Sequence, residues 1–286
     1  MSEEVGRATL LVSCPDRKGL VAALSQLLYD HGANILQAQQ HSDPIDQLFF
    51  QRIHFDLSEL DISRAALEEL LRIECGRFEM RWSISYSDRP KRMAIFVSKF
   101  EHCLYDLLLR HRLGEFACEI VAVLSNHPDH ESAGQQFGVP FHVFPITKEN
   151  KAEQERRELA LLAEHSVDVI VLARYMQVLS ENFIAHYPEQ IINIHHSFLP
   201  AFSGARPYQQ AFERGVKLIG ATAHYATEEL DEGPILAQEV VGCSHRDSVR
   251  DLVRKGRDAE RMALAAAVRA HLEDRVVVNG RRTIIF

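Results

Sequence analysis

The sequence has few cysteines and no closely spaced pair of them. Its five cysteines are an odd number, and none belongs to a C-x-x-C pair. A disulfide framework or a structural zinc site needs paired or closely spaced cysteines. The pattern therefore predicts reduced thiols in a cytoplasmic protein. The five positions are Cys14, Cys75, Cys103, Cys118 and Cys243.

Long apolar runs and a secretory leader are also missing. No stretch reaches the roughly 18–20 apolar residues that a membrane-spanning helix needs. The first four residues, MSEE, are acidic and lead into no apolar segment, so we expect no signal peptide and a cytoplasmic location.

The chain has fewer basic residues than acidic ones. The chain has 32 Lys and Arg residues against 40 Asp and Glu residues, a formal net charge of −8. A surface with this balance repels phosphate groups, so we expect neither a nucleic-acid partner nor a membrane partner. A local basic pocket remains compatible with the overall charge.

The composition is that of a globular chain with two ordinary domains or one large one. The 286 residues are 46% hydrophobic and 25% charged. The segment SDRPKR at residues 87–92 contains a proline and no apolar residue, which is typical of a linker. We therefore predict a first domain at residues 1–86, a linker at 87–92 and a second domain at 93–286.

The first domain shows the pattern of a ferredoxin-like fold. Apolar residues recur with a helical period in two segments and alternate, or form short runs, in four others. Gly32 predicts the end of the first helix. The order βαββαβ is the ferredoxin-like arrangement. The predicted strands are residues 9–13, 34–40, 48–57 and 78–86, and the predicted helices are residues 20–31 and 62–73.

Two motifs in this domain resemble the ACT family. They are CPDRKGLV at residues 14–21 and GANI at residues 32–35. The resemblance implies self-association through the domain, hence a homo-oligomer, and an amino-acid effector bound at the interface. The residues favour neither bare oligomerisation nor amino-acid sensing over the other.

The second domain alternates strands and helices, which predicts an α/β fold with a doubly wound, mostly parallel sheet. A long helix at residues 246–273 and a terminal hairpin on the turn Asn279-Gly280 complete it. The predicted strands are residues 93–97, 120–124, 141–144, 167–172 and 191–194, with further strands near 219–241, and the predicted helices include residues 104–112, 151–165 and 177–186.

Polar residues follow the buried strand at residues 191–194, and an acidic turn lies further along the chain. Ligands of open α/β sheets bind where strands end. Asn193 offers an amide donor, His195 can shuttle a proton, and Asp231 can orient an imidazole or accept a proton. Together they suit attack on a carbonyl group. The alternative is that Asn193 and His195 only cap a helix or fill a turn.

Three motifs resemble the folate-dependent formyltransferase fold: NIHHSFLP at residues 193–200, GATAHY at 220–225 and LDEGPI at 230–235. The resemblance implies that Asn193, His195 and Asp231 form the formyl-transfer site. It also implies that LARYMQVL, at residues 172–179, flanks the pterin. The candidate substrate-binding residues are Arg174, Tyr175, Met176, Gln177, Val178, Arg206, His224, Glu229 and Leu230.

The first strand-to-helix junction of this domain, SKFEHC at residues 98–103, has no glycine. In the glycinamide ribonucleotide formyltransferases this junction is a glycine-rich loop that holds the substrate phosphate. The motif here resembles instead the formyltetrahydrofolate deformylase family. That resemblance implies hydrolysis of 10-formyltetrahydrofolate to tetrahydrofolate and formate, which supplies formate and free folate for one-carbon and purine metabolism. The folate is the substrate, and no cofactor is implied.

Two other functions remain as alternatives. One is transfer of the formyl group to an amine, and the other is a binding or regulatory role for an inactive fold. The glycine-free junction disfavours the first, and the intact Asn193, His195 and Asp231 disfavour the second. Adjacent histidines on a strand point to opposite faces, so we expect no metal at His195 and His196.

Several candidate residues also have a plain structural interpretation. Arg206 suits a substrate carboxylate or a surface acid equally. His224 fits the site or a buried structural histidine, and the role of His196 stays open.

Overall fold

The computed structural model describes residues 6–200 and 207–286. They form two units: the first holds the described residues up to Pro90 together with Asp274–Val277 and Ile284–Phe286, and the second holds those of Lys91–Glu273 with Val278–Thr283. Among the described residues, no helix combines the length and the apolar character needed to cross a membrane.

The first unit has the predicted βαββαβ order. Its sheet has the strand order β2-β3-β1-β4, and every neighbouring pair is antiparallel. The elements are β1 (Arg7–Pro15), α1 (Leu20–Asp30), β2 (Asn34–Asp43), β3 (Leu48–Asp56), α2 (Arg64–Arg77) and β4 (Arg81–Tyr86).

Apolar residues at helical spacing hold α1 and α2 against this sheet. Leu20, Leu24 and Leu28 of α1 are buried with Leu67 and Leu71 of α2, and they share one core with the inward residues of β1 and β3. Burial of each such side chain stabilises the unit by about 1.5–3 kcal/mol.

Turn chemistry sets the ends of both helices. Gly32 adopts φ +75° just after α1, and a Cβ there would lie 2.2 Å from the carbonyl oxygen of Glu59. Only glycine fits that position. At the start of α2, the Ser63 side chain accepts a hydrogen bond from the amide of Ala66 at 3.2 Å.

The second unit is built on a seven-stranded sheet with helices along the chain between its strands. Its elements are β5 (Lys91–Val97), α3 (His102–Arg112), β6 (Cys118–Ser125), α4 (Glu131–Phe137), β7 (Phe141–Val143), α5 (Lys151–Glu164), β8 (Val169–Ala173), α6 (Glu181–Ala185), β9 (Ile191–His195), α7 (Pro207–Arg214), β10 (Leu218–Tyr225), β11 (Ile235–Gly242) and α8 (Val249–Leu272). The chain ends in the predicted hairpin, β12 (Val276–Asn279) and β13 (Arg282–Ile285), around Gly280.

The seven strands lie in the order β11-β10-β9-β8-β5-β6-β7. The five strands from β9 to β7 are mutually parallel, and β10 and β11 add two antiparallel strands at one side. The prediction of a mostly parallel α/β sheet is confirmed. The carboxyl ends of β5, β8 and β9 therefore meet at one edge, where ligands bind in such sheets.

Several local predictions differ from the structure. The strand β5 begins at Lys91, so two residues of the expected linker belong to the sheet. The helix expected at residues 177–186 is only Glu181–Ala185, because Ser180 caps it by accepting a hydrogen bond from Phe183. The predicted strand at residues 191–194 extends to His195, which places both Asn193 and His195 within β9.

Candidate active site

Asn193 and His195 lie on one face of β9. They are two residues apart on a strand, and alternate residues of a strand share a face. The apolar Ile191, Ile192 and Ile194 are buried and fix the strand in the sheet. The backbone of β9 thus places an amide and an imidazole side by side.

His224 reaches the same face from the neighbouring strand β10. It is the direct cross-strand partner of Asn193, and its Nε2 lies 3.2 Å from Nδ2 of Asn193. Its Nδ1 lies 2.9 Å from the carbonyl oxygen of Tyr225. Because a carbonyl can only accept, Nδ1 carries the proton, and Nε2 faces the site.

Asp231 completes the group from the loop between β10 and β11. Its Oδ1 lies 3.2 Å from Nδ1 of His195 and 3.7 Å from Nε2 of His224. Hydrogen bonds from His195 and His224 hold the pKa of the Asp231 carboxyl well below its usual range. Asp231 is therefore ionised and faces both imidazole rings.

The backbone of this loop is unusual at two positions. Asp231 adopts φ +59°, a left-handed conformation that aspartate tolerates better than most residues. A Cβ at Gly233 would lie 1.8 Å from the carbonyl oxygen of Tyr225, so only glycine allows the loop to return this close to β10. The loop geometry that presents Asp231 thus depends on Gly233.

The second ring nitrogen of His195 has a different environment. Its Nε2 is buried and has no hydrogen-bond partner among the described residues. Unpaired buried polar atoms cost free energy and call for an explanation, such as a reacting group. With Nδ1 held by Asp231, Nε2 is the atom that can exchange a proton or a hydrogen bond with a bound carbonyl.

His196 lies beside His195 but does not share its contacts with Asp231. The two ring centroids are 5.0 Å apart with a 32° angle between the planes. Burial, with the nearby charge of Arg174, lowers the pKa of His196 to about 4. His196 is therefore neutral at pH 7.

These groups line a cavity of about 520 Å³. Its lining comes from Leu172 of β8, from residues 174–179 after that strand, from β9 and from β10 with the segment that follows it. The volume falls in the range of small-molecule sites. All three predicted catalytic residues line it, together with the predicted substrate-binding residues Arg174, Tyr175, Met176, Gln177, Val178, His224 and Leu230.

Two predicted binding residues are placed differently. Glu229 does not line this cavity but lines an adjoining one of about 500 Å³, with Glu228, Glu232 and Arg281. Arg206 lies outside the described residues.

Side chains behind the cavity hold the segment after β8 in place. The Ser98 hydroxyl accepts from the amide of Met176 at 2.9 Å and donates to Oδ1 of Asn126 at 2.7 Å. From helix α5, Glu155 accepts from the amide of Ser180 at 3.0 Å, and Glu158 accepts from the Tyr175 hydroxyl at 3.3 Å. This lining segment is therefore tethered at its start and at its end.

Three buried acids that support the site are not among the residues predicted from the sequence. Glu155, Glu158 and Glu260 are at most 5% exposed. One of them, Glu260, could have been found from helical spacing. It lies four residues after Gly256 and four before Leu264, so it falls on the buried face of an amphipathic helix. A buried acid needs a hydrogen-bond or charge partner, and all three acids have one.

One group of three potential metal ligands occurs among the described residues: His102, Cys103 and Glu260, with ligand atoms within 4.8 Å of one another. Burial raises the pKa of the Cys103 thiol well above its ordinary value. Both oxygens of Glu260 already accept hydrogen bonds, from His102 and from Tyr208. The group is better explained as a hydrogen-bond network than as a metal centre.

The fold and this site define a class of protein: an ACT domain followed by a catalytic domain of the formyltransferase fold. The profile described as "Formyl transferase" matches residues 91–268, and the profile described as "ACT domain" matches residues 8–74. Both matches confirm the corresponding resemblances in the sequence.

Whole-chain relatives specify the family. The formyltetrahydrofolate deformylase of Synechocystis sp. is 53% identical, with 98% of each chain covered. The formyltetrahydrofolate deformylase of Bacillus subtilis is 48% identical, covering 100% of this chain and 95% of the relative. The crystal structure of a formyltetrahydrofolate deformylase from Pseudomonas syringae pv. tomato matches with a TM-score of 0.96 and 44% identity, over 100% of this chain and 96% of that one. The chain belongs to the formyltetrahydrofolate deformylase family.

Proposed function

We infer that the protein hydrolyses 10-formyltetrahydrofolate to tetrahydrofolate and formate. The observation that carries the inference is the position of His195 at the cavity wall. Asp231 holds its Nδ1 at 3.2 Å, while its buried Nε2 has no partner among the described residues. Whole-chain relatives that carry the deformylase name support the same reaction.

We propose that Asn193 and His195 stabilise the oxyanion. Water attacks the formyl carbon, and the carbonyl electrons move onto oxygen. The Asn193 amide and the protonated Nε2 of His195 then donate hydrogen bonds to that oxygen. One such donor lowers the barrier by about 3 kcal/mol. The bond from carbon to N10 breaks next, one proton of the attacking water ends on N10, the other is released to solvent, and the water oxygen leaves as part of formate.

Asp231 acts through orientation and charge. Its lowered pKa makes it a weak proton acceptor at rest, so we assign it to stabilising the His195 imidazolium and to accepting a hydrogen bond from the attacking water. His224, also beside Asp231, keeps the carboxylate in place from β10.

The pterin is expected in the cavity of about 520 Å³, against the segment after β8. We propose that Arg174, Tyr175, Met176, Gln177, Val178 and Leu230 contact it there. Glu229 would contact only a substrate part that extends into the adjoining cavity. Arg206, close to the catalytic strand in sequence, remains a candidate for a substrate carboxylate.

Formyl transfer to an amine is not favoured. The relatives that match the whole chain are deformylases, and the junction after β5 lacks the glycines that let backbone amides approach a phosphate. The formyl group is already at the oxidation level of the product, so we propose that hydrolysis needs no redox cofactor.

We also propose that the ACT domain, residues 1–86, binds an amino-acid effector or joins copies of the chain into a homo-oligomer. Light scattering and hydrolysis assays, each with and without the members of a panel of amino acids, separate the two roles. An effector changes the rate of hydrolysis at constant mass, whereas bare oligomerisation leaves the rate unaffected by any amino acid.

The reaction itself is tested by incubating the protein with 10-formyltetrahydrofolate alone. We expect formate and tetrahydrofolate in equal amounts, with no added amine and with undiminished rate after dialysis against a chelator. Turnover that requires glycinamide ribonucleotide would replace hydrolysis by transfer, and loss of turnover on dialysis would contradict the expectation that the reaction needs no cofactor.

A further inference from the structure

A buried, charged cluster lies beside the reaction cavity. We define the Glu260 cluster as His102, Arg174, Tyr208 and Glu260. Oε2 of Glu260 lies 2.7 Å from Nε2 of His102 and 3.3 Å from Nε of Arg174, and its Oε1 accepts from the Tyr208 hydroxyl at 2.8 Å. Burial alone would raise the pKa of Glu260, but the hydrogen bond from His102 and the charge of Arg174 lower it. Side chains from three separate parts of the unit thus converge on the Glu260 carboxylate.

The neighbouring backbone is shaped for this cluster. A Cβ at Gly256, one turn before Glu260 on α8, would lie 2.0 Å from the Tyr208 hydroxyl oxygen. Glycine in the middle of a helix costs about 1 kcal/mol relative to alanine. Here it makes the room through which Tyr208 reaches Glu260. The cluster is therefore built into the packing of α7 against α8.

Arg174 is the member of the cluster that also lines the cavity. It follows β8 with φ +62°, and its guanidinium lies 5.0 Å from the ring centre of Phe100, in the junction after β5. The side chain is 9% exposed. It therefore occupies space beyond the carboxyl ends of β5 and β8, in the cavity that His195 also lines. In open α/β sheets this crevice is where ligands bind.

We propose that Arg174 is a specificity-determining residue that closes the crevice to an amine acceptor, so that water attacks the formyl carbon. The proposal rests on the hydrolysis inferred above. Glu260 neutralises the buried guanidinium and holds it in place, since a buried charge needs a partner. An amine that reached the site would bond its nitrogen to the formyl carbon. The bond to N10 would break, and the amine proton would pass to N10, which gives a formylated amine in place of formate.

The test measures how the formyl group partitions between water and a small primary amine. The wild-type protein and Arg174→Ala are given 10-formyltetrahydrofolate with glycinamide in excess, and formate and formylglycinamide are quantified by mass spectrometry. We expect formate as nearly all of the product of the wild-type protein, and a share of formylglycinamide about tenfold larger or more in Arg174→Ala. Guanidinium chloride at a low, non-denaturing concentration should refill the space and restore formate as the product.

Arg157→Ala is the matched control. Arg157 also stacks on an aromatic ring, 5.5 Å from the centre of Phe144, but does not line the cavity. If Arg174→Ala fails to fold, the double variant Arg174→Ala/Glu260→Gln is used in the same experiment. In that variant the buried Glu260 carboxylate, which would have lost the neutralising charge of Arg174, is also replaced by a neutral amide. A folded, active variant that forms no more formylglycinamide than Arg157→Ala overturns the proposal, even where its hydrolysis is slower. A wild-type protein that releases no formate refutes the proposed function instead.

Discussion

His224 is the direct cross-strand partner of Asn193, and the facing side-chain nitrogens of the two residues are 3.2 Å apart. This pairing brings together two motifs that are about thirty residues apart in the chain. The antiparallel register of β9 and β10 sets the amide beside the imidazole, and Asp231 then faces both histidines from the following loop. Two strands and one loop therefore bring together Asn193, His195, His224 and Asp231.

Replacing Asp231 by Asn should leave the fold and folate binding intact and reduce turnover. The amide keeps the shape but cannot stabilise a charged His195, so we expect kcat to fall about 100-fold or more. Glu232→Gln is the control, since Glu232 sits in the same loop but pairs with Arg281 at the surface. Kinetics with 10-formyltetrahydrofolate measure both. A near-normal rate in Asp231→Asn would remove the carboxylate from the mechanism.

Replacing Asn193 by Ala removes one proposed oxyanion donor. We expect kcat to fall about 100- to 1,000-fold, with a much smaller change in the dissociation constant for tetrahydrofolate. Asn182→Ala, at an exposed position of α6, should change neither. Equal losses in kcat and in product affinity would instead indicate that Asn193 binds the folate in its ground state.

Much of the fold follows from local patterns. The helical spacing of Leu20, Leu24 and Leu28 and the glycine at position 32 predict α1 and its end, and the structure agrees. The helix at 177–186 was overpredicted, because apolar residues at 178 and 179 continue the helical pattern while the chain there lines a cavity. Hydrogen bonds to distant residues, such as that from the Met176 amide to Ser98, outweigh the local helical preference of this segment. The sequence of the segment itself does not indicate them.

The grouping of residues in the candidate site was predictable where polar residues are concentrated in a motif, and their catalytic role stays a prediction. Asn193, His195 and Asp231 could be named from sequence, because a polar strand end and an acidic turn are visible in the chain itself. Glu260 and Tyr208 could not be named from the sequence. Their contacts form only in the folded protein, where α7, α8 and the end of β8 come together. Glu229 was assigned with its neighbours, yet the turn directs it to the adjoining cavity.

Gly233→Ala should disturb the loop that presents Asp231. The new methyl group would lie 1.8 Å from the Tyr225 carbonyl oxygen, so the loop must move. We expect a loss of roughly 1–3 kcal/mol in the free energy of unfolding, together with lower kcat. Gly242→Ala is matched to it, because a Cβ there meets nothing within 4 Å. Thermal unfolding and kinetics compare the two, and equal behaviour would show that the loop adapts without cost.

Glu158→Gln should remove a pH dependence of stability. Burial raises the pKa of Glu158 from 4.5 to about 7. Between these values the folded protein binds a proton that the unfolded chain does not. This contribution to stability is fully present below pH 4.5 and is lost as the pH rises through about 7. At about 1.4 kcal/mol per pKa unit, the shift corresponds to about 3 kcal/mol.

Glutamine cannot titrate, so the wild-type protein should lose about 3 kcal/mol more than Glu158→Gln between pH 4.5 and pH 8. Urea unfolding across this range measures the difference, in which titrations elsewhere cancel. Glu153→Gln, on the same helix but exposed and paired with Arg156, should follow the wild-type curve. If the free energy of unfolding changed equally with pH in all three proteins, Glu158 would be ionised in the folded state. Its charge would then be stabilised by other groups in addition to the Tyr175 hydroxyl.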